Sequence, residues 1–263
     1  MSDELLVERD GAIATLTLNR PDRLNAISVS MLNDLAEQLV ACDRDSDVRV
    51  IILTGAGRGF CAGLDLQDTS AGTGIGPGGG GPAVDLDLRD APPIVLHKVD
   101  TPTICALNGG AAGYGMDLAL GCDIRIAGQS GKLAAAFTKR GVLPESGGTW
   151  LLPRLVGWAK ASEIIFTGRS LSADECLELG LVNRVVADDM LIKETRALAD
   201  EIASNAPLAV AASKRMMRMG LSEEFDDHVH HVFLQLMPLL RSKDFKEGMQ
   251  SFLEKRKPDF KGR

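Results

Sequence analysis

What the 263-residue sequence has little of narrows its function first. No run of about 18 apolar residues occurs, so no segment reads as a membrane-spanning helix. The N-terminal MSDELLVERDGAIATL is acidic and has no apolar signal-peptide core. Cysteine is sparse: five residues, an odd total with no CxxC pair, which suits reduced thiols and a cytoplasmic protein. Positive charge is in deficit, and a net charge of -7 disfavours nucleic acid as the main partner. Local basic groups still suffice to hold a phosphate, so an anionic cofactor stays open. The phosphate-loop pattern is missing, because no GK[ST] follows the central glycines. Nor does G-x-G-x-x-G open the first βαβ unit, which disfavours a dinucleotide. The composition left is ordinary for a globular chain, 45% hydrophobic and 25% charged. The length is ample for a core, as one large domain or a domain with an appendage.

The chain is organised around residues 103–123. Thr103 to Leu107 is an apolar run that reads as a buried strand, ended by Asn108-Gly109-Gly110. Gly113-Tyr114-Gly115 then opens a helix running to about Leu120. Strand, glycine turn and helix start together present unpaired backbone N–H groups and the positive end of a helix dipole, which suits a negative oxygen. Upstream, residues 12–18 alternate as a strand, Ser28 caps a helix carrying Leu32, Leu35, Ala36 and Leu39, and residues 48–53 are a buried strand. Strand, helix, strand at this spacing implies crossover units and the α/β class. Residues 69–82 (TSAGTGIGPGGGGP) are the one low-complexity segment, read either as a solvated insertion or as an active-site flap. Residues 85–99 read as helix, 123–127 and 132–136 as short strands, and Glu145 opens a helix ending near Gly157. A further helix covers 159–166, Ser172 caps the next, and 182–186 is a short strand. After Asp188 come four helical patterns with no strand between them, carrying more apolar surface than short helices hide internally. We therefore divide the chain into a core, residues 1–188, and a helical region, 189–263, that docks on the core or on another subunit.

A second turn matches the first. The strand ending Leu53-Thr54-Gly55 leads into Phe60-Cys61-Ala62-Gly63-Leu64-Asp65-Leu66. This motif, followed by Asn108-Gly109-x-Ala111-x-Gly113-x-Gly115, resembles the crotonase superfamily, the enoyl-CoA hydratase/isomerase family. The resemblance runs from Asn19-Arg20-Pro21 to Phe252-Leu253-Glu254-Lys255-Arg256. It implies a spiral of ββα units followed by C-terminal helices that assemble trimers, often paired into hexamers. Coenzyme A is then part of the substrate, and no separate cofactor or metal is called for. The two turns imply an oxyanion hole from the backbone N–H groups of Leu64 and Tyr114, converging within about 3 Å of one thioester oxygen. In other enzymes, losing one such donor costs about 3–4 kcal/mol. Tyr114, the one tyrosine of the chain, stands where the family usually has glycine, and its side chain either lines the acyl pocket or packs on the helix. Arg23, in the 19–26 turn, matches a basic position of the family's nucleotide-binding segment. Ala62 and Asp65 match its adenine pocket through backbone groups. Phe252 and Lys255 match groups that meet CoA across a subunit boundary.

Proton transfer at carbon needs a base of tuned pKa. Asp117 stands where the hydratase subgroup carries one glutamate, though it is one carbon shorter. Phe137 stands where that subgroup carries its second. Glu145 stands where some isomerases carry their acid, and Gly-x-x-Pro-Glu145-x-Gly-Gly-Thr-Trp-Leu-Leu-Pro-Arg resembles the phenylacetate-pathway isomerase branch most closely. Glu145 ranks first as base, Asp117 second, and Phe137 joins Tyr114 as a candidate lining of the acyl pocket. His228, His230 and His231, near Asp226 and Asp227, read as a polar helix surface more readily than as a metal site, and His97 as structural. Cys61 and Cys105 read as core. The expected reaction is isomerisation of an unsaturated acyl-CoA. The alternatives are 2-enoyl-CoA hydration, thioester or C–C hydrolysis, and a non-catalytic CoA-binding role.

Overall fold

The computed structural model describes residues 2–65 and 91–263. The 69–82 stretch and the first part of the helix expected over 85–99 lie outside the described residues. Among the described residues the strands form two sheets. Strands β1 (Leu5–Asp10) and β2 (Ile13–Leu18) make an antiparallel hairpin. Strands β3 (Val50–Gly55), β5 (Thr103–Leu107), β7 (Ile124–Gly128) and β10 (Arg184–Val186) continue from β2 in parallel, in the order β1-β2-β3-β5-β7-β10. A second sheet takes the short strands β4 (Gly59–Cys61), β6 (Gly110–Ala112), β8 (Lys132–Ala134) and β9 (Ser170–Ser172). Its first three strands are parallel, and β9 is antiparallel to β8. The chain thus repeats one move: a long strand in the first sheet, a tight turn, a short strand in the second, then a helix. This is the crotonase-like ββα spiral.

The central strands β3 and β5 of the first sheet are buried on both faces, which is why they read as continuous apolar runs. Ile51 and Leu53 point to a large core shared with helix α1 (Val29–Arg44), helix α2 (Pro92–Lys98) and helix α3 (Tyr114–Gly121). Their neighbours Val50 and Ile52 point the other way, to a smaller core closed by Leu191 and Ala199 of helix α6 (Leu191–Ala203). In α1, Ser28 Oγ accepts from Met31 N at 3.1 Å, and Met31, Leu35, Leu39 and Cys42 form the buried stripe.

Helix α4 (Gly148–Thr167) is broken at Gly157 (φ 77°, ψ 163°), so the two helices expected on either side of that glycine are both present. Its start differs from expectation. The helix begins at Gly148, leaving Glu145 in the loop before it. Helix α5 (Ala173–Glu178) opens on a capping box between Ser172 and Glu175. The C-terminal region continues with α7 (Pro207–Met219), α8 (Phe225–Leu239) and α9 (Lys243–Glu254). Helix α7 is pinned to the core by buried Lys214, whose Nζ lies 2.7 Å from Asp123 Oδ2 and 2.9 Å from the Thr101 carbonyl. Arg215 and Arg218 clasp Asp100 beside it. Helix α8 has no buried residue and exposes Phe225, Val229, Phe233 and Leu236. No helix among the described residues is long and apolar enough to cross a membrane.

Candidate active site

The Gly63–Asp65 turn is held from one side by Ile27. Ile27 N donates to the Gly63 carbonyl at 2.8 Å, and Asp65 N donates to the Ile27 carbonyl at 3.0 Å, forming an isolated parallel bridge. Backbone polar groups alternate in direction along an extended strand, so the Leu64 N–H points away from Ile27. Among the described residues it has no acceptor. The Tyr114 N–H is also left over, because it opens α3: Gly113 N donates to Ala134, while Met116 N and Asp117 N bond back to Gly113. Gly63 brings the two together. Its φ of 101° is one that side-chain-bearing residues rarely adopt, and a Cβ there would lie 2.9 Å from the Ala112 carbonyl and 3.7 Å from Tyr114 N. Two N–H groups without acceptors therefore stand on adjoining turns, the second at a helix N-terminus.

Residues that were not singled out from the sequence hold these turns. Arg20 reaches Asp65 Oδ2 and Glu4 Oε1, both at 3.0 Å, and donates to the Ala26 carbonyl at 2.6 Å. Buried Asn25 donates to the carbonyls of Ala56 and Gly59 at 2.9 and 2.8 Å and accepts from Arg20 N. Their amide and guanidinium lie inside the 19–26 turn, on which Arg23 is exposed. Ala62 N donates to Leu24, next to Arg23, at 2.9 Å, so Arg23, Ala62 and Asp65 share one region. The Asp65 side chain is engaged by Arg20 and its N–H by the Ile27 carbonyl. Phe252, 80% exposed, and Lys255 lie at the end of α9 and face solvent in the single chain.

The carboxyls divide into two kinds. Asp117, in the first turn of α3, is 1% exposed. Its Oδ2 accepts from Gly148 N at 3.2 Å and Ser146 N at 3.3 Å. A methyl group on Gly148 would overlap this carboxylate. Burial pushes the Asp117 pKa up to about 7; the Gly148 N–H opposes this, the Glu145 charge adds to it, and the Ser146 N–H opposes it. Glu145 sits at the solvent edge of the same loop, and burial of its carboxyl raises its pKa, opposed by a hydrogen bond from its own backbone N–H.

Phe137 is buried, and its ring lies 3.9 Å from where a Gly113 Cβ would stand, so an apolar ring borders the helix start. Tyr114, 6% exposed, packs in the same cluster. Its hydroxyl is buried and has no hydrogen-bond partner among the described residues. Burial first, then Cys61, Glu145 and Asp117, raise its pKa, so it stays protonated.

Other groups stand apart. Burial drives the Cys61 thiol up to about 12, and all five cysteines are free and buried. His228 and His231 place their Nδ1 atoms 2.9 and 3.0 Å from the two oxygens of Glu223. The His97 ring meets Trp150 edge-on at 5.2 Å. Among the described residues no three His, Cys, Asp or Glu side chains are grouped to hold a metal.

The family model described as enoyl-CoA hydratase/isomerase matches residues 8–263. The chain is 40% identical to a 1,2-epoxyphenylacetyl-CoA isomerase of Escherichia coli, covering 100% of both chains. It is 35% identical to a short-chain-enoyl-CoA hydratase of Clostridium acetobutylicum, covering 99% of each. The solved enoyl-CoA hydratase of Bacillus anthracis superposes with a TM-score of 0.89 at 34% identity, over 99% of this chain and 100% of that one. With the ββα spiral and the paired turns, these matches identify the chain as a member of the crotonase superfamily, in the enoyl-CoA hydratase/isomerase family.

Proposed function

We propose that this protein isomerises unsaturated acyl-CoA thioesters, moving a 3,4 double bond to the 2,3 position. The N–H groups of Leu64 and Tyr114 receive the thioester oxygen. Glu145 takes the proton from carbon 2, and the electron pair spreads through a dienolate onto that oxygen. The same carboxyl returns the proton to carbon 4, and the double bond settles between carbons 2 and 3. One carboxylate suffices, because the oxyanion hole stabilises the charge while the proton travels. Asp117 acts on the loop: its carboxyl gathers the Ser146 and Gly148 N–H groups on either side of Gly147 and so positions Glu145.

The observation that carries this reading is the unequal pair of acids beside an apolar ring. Glu145 is at the solvent edge of the loop; Asp117 is buried and engaged by two backbone donors. Phe137 occupies the position of the hydratase subgroup's second glutamate. The 40% identity to an epoxyphenylacetyl-CoA isomerase supports the isomerase branch and admits unsaturated ring substrates. A second reading, hydration of a 2-enoyl-CoA, draws on the nearness of the two carboxyls, since two acids can hold one water, and on the hydratase relative. Assaying purified protein with 3-hexenoyl-CoA and 2-hexenoyl-CoA separates them. Isomerisation is expected to exceed hydration; rapid hydration with 3-hexenoyl-CoA untouched would give the hydratase reading.

Coenzyme A is proposed to lie along Arg23 and the backbone of Ala62 and Asp65. Phe252 and Lys255 are supplied by a neighbouring subunit of a trimer or a dimer of trimers.

A further inference from the structure

Strand β7 is apolar except for Arg125, which is 5% exposed. Asn183 pins its backbone from both sides: Arg125 N donates to Asn183 Oδ1 at 2.9 Å, and Asn183 N donates to the Arg125 carbonyl at 2.8 Å. The side chain reaches the C-terminal end of α3. Its Nη1 donates to the carbonyls of Cys122, Leu120 and Ala119 at 2.5, 3.3 and 3.5 Å, and its Nε to the Leu181 carbonyl at 2.6 Å. All these acceptors are neutral, and among the described residues no carboxylate pairs with the guanidinium. A guanidinium keeps its charge when buried, and a buried charge without a counter-charge is costly. What meets this one is the negative end of the α3 dipole. The opposite end of the same helix presents the Tyr114 N–H. Satisfying the last carbonyls of α3 asks only for a neutral donor, so the charge itself is left to explain.

We propose that Arg125 is a positioning residue for the oxyanion: its buried charge cancels the negative end of α3, and the positive end then acts more strongly on the thioester oxygen at the Tyr114 N–H. The inference rests on the oxyanion-hole reading of Leu64 and Tyr114. It holds for isomerisation and hydration alike, because both place negative charge on that oxygen. Helix α3 has 8 residues, so the guanidinium stands about 12 Å from the N–H along the helix axis. At that distance, with an effective dielectric constant of about 20, a unit positive charge favours an anion by roughly tenfold. A neutral amide in its place would satisfy the same carbonyls and leave the negative end of the helix uncancelled.

Three variants test this. Arg125→Met removes the charge, Arg125→Gln removes it but keeps a donor for the carbonyls, and Arg125→Lys keeps the charge. The infrared carbonyl stretch of hexanoyl-CoA, isotope-labelled at the thioester carbon, is measured free and bound to each protein. Turnover is measured with whichever of 3-hexenoyl-CoA and 2-hexenoyl-CoA the wild type converts. Wild type should lower the stretching frequency on binding, and both neutral variants should lower it less. Their turnover should fall by about tenfold with KM within about twofold, because the charge on the oxygen is greatest in the transition state. Arg125→Lys should restore the wild-type frequency and bring turnover to within about threefold. The proposal is overturned if neutral variants that a melting scan shows to be folded shift the band as far as wild type does, or if Arg125→Lys behaves like Arg125→Gln. It is also overturned if neither neutral variant folds while Arg125→Lys does, the sign of a purely structural role. If the band does not move in wild type, the oxyanion-hole reading falls and the inference with it. A band that moves equally in wild type and Arg125→Gln leaves that reading intact and removes Arg125 alone.

Discussion

Asp117 is where charge and position separate most clearly. An unfolded aspartate titrates near 4, whereas folded Asp117 titrates at about 7. Between those values the folded chain keeps a proton that the unfolded chain has lost. The stability contributed by Asp117 therefore falls as pH rises from about 4 to about 7. The unfolding free energy of wild type minus that of Asp117→Asn, from urea titrations across this range, should decline with pH. A flat difference would mean that the folded carboxyl is already ionised. Asn retains a carbonyl acceptor for Ser146 and Gly148, so Asp117→Asn should cost less than about tenfold in turnover. Asp117→Ala removes the acceptor, leaves two N–H groups unpaired, and should cost both activity and roughly 2–4 kcal/mol of stability. Gly148→Ala drives a methyl into the carboxylate and should destabilise by about 1–3 kcal/mol on thermal or urea unfolding. The sequence showed Asp117 and Glu145 as acids at helix starts. It did not show that one anchors the loop carrying the other, because that bond joins residues 31 apart and depends on how α3 meets α4.

The two glycine turns were legible as elements because their motif is local: a strand, a short turn and a helix start, with glycine where the backbone must reverse. Gly63→Ala tests the first turn. Its positive φ and the nearby Ala112 carbonyl leave no room for a methyl, so the Leu64 N–H should be displaced. Turnover should drop by about 10²–10³, the loss seen when an oxyanion donor is removed elsewhere, with a smaller effect on CoA affinity; normal turnover in a folded Gly63→Ala variant would refute the assignment of Leu64. The short strands β4, β6 and β9 were not legible from residues alone. Each spans three residues and contains little alternation, and they pair with partners far along the chain. Strand β1 was missed because it is an edge strand with Leu5 as its one fully buried side chain. The break at Gly157 was legible because glycine interrupts an otherwise helical pattern. The later start of α4 was not, since Glu145 and Ser146 suit a helix N-terminus equally well.

In the whole molecule, the C-terminal helices divide. Helix α6 closes the second core of the first sheet, so the helical region expected over 189–263 begins as part of the core. Helices α7, α8 and α9 instead frame an apolar cleft of about 300 Å³, lined by Leu208, Leu236, Leu240, Phe245 and Met249 among others. Together with the exposed face of α8, this is surface that a second copy would cover. Light scattering at micromolar concentration should give a trimer or hexamer; a monomer would contradict both the assembly and the supply of Phe252 and Lys255 from a neighbour. Charge reversal at Lys255 should then weaken CoA affinity, in a subunit whose own turns are intact.

The account turns on which carboxyl moves the proton, and Glu145→Gln measures that most directly. The substitution keeps the size of the side chain and removes its basicity. With 3-hexenoyl-CoA as substrate, turnover should fall by roughly the 10²–10⁴ of a positioned base, while the affinity for hexanoyl-CoA changes little. Full turnover in Glu145→Gln, with activity abolished in Asp117→Asn, would contradict it.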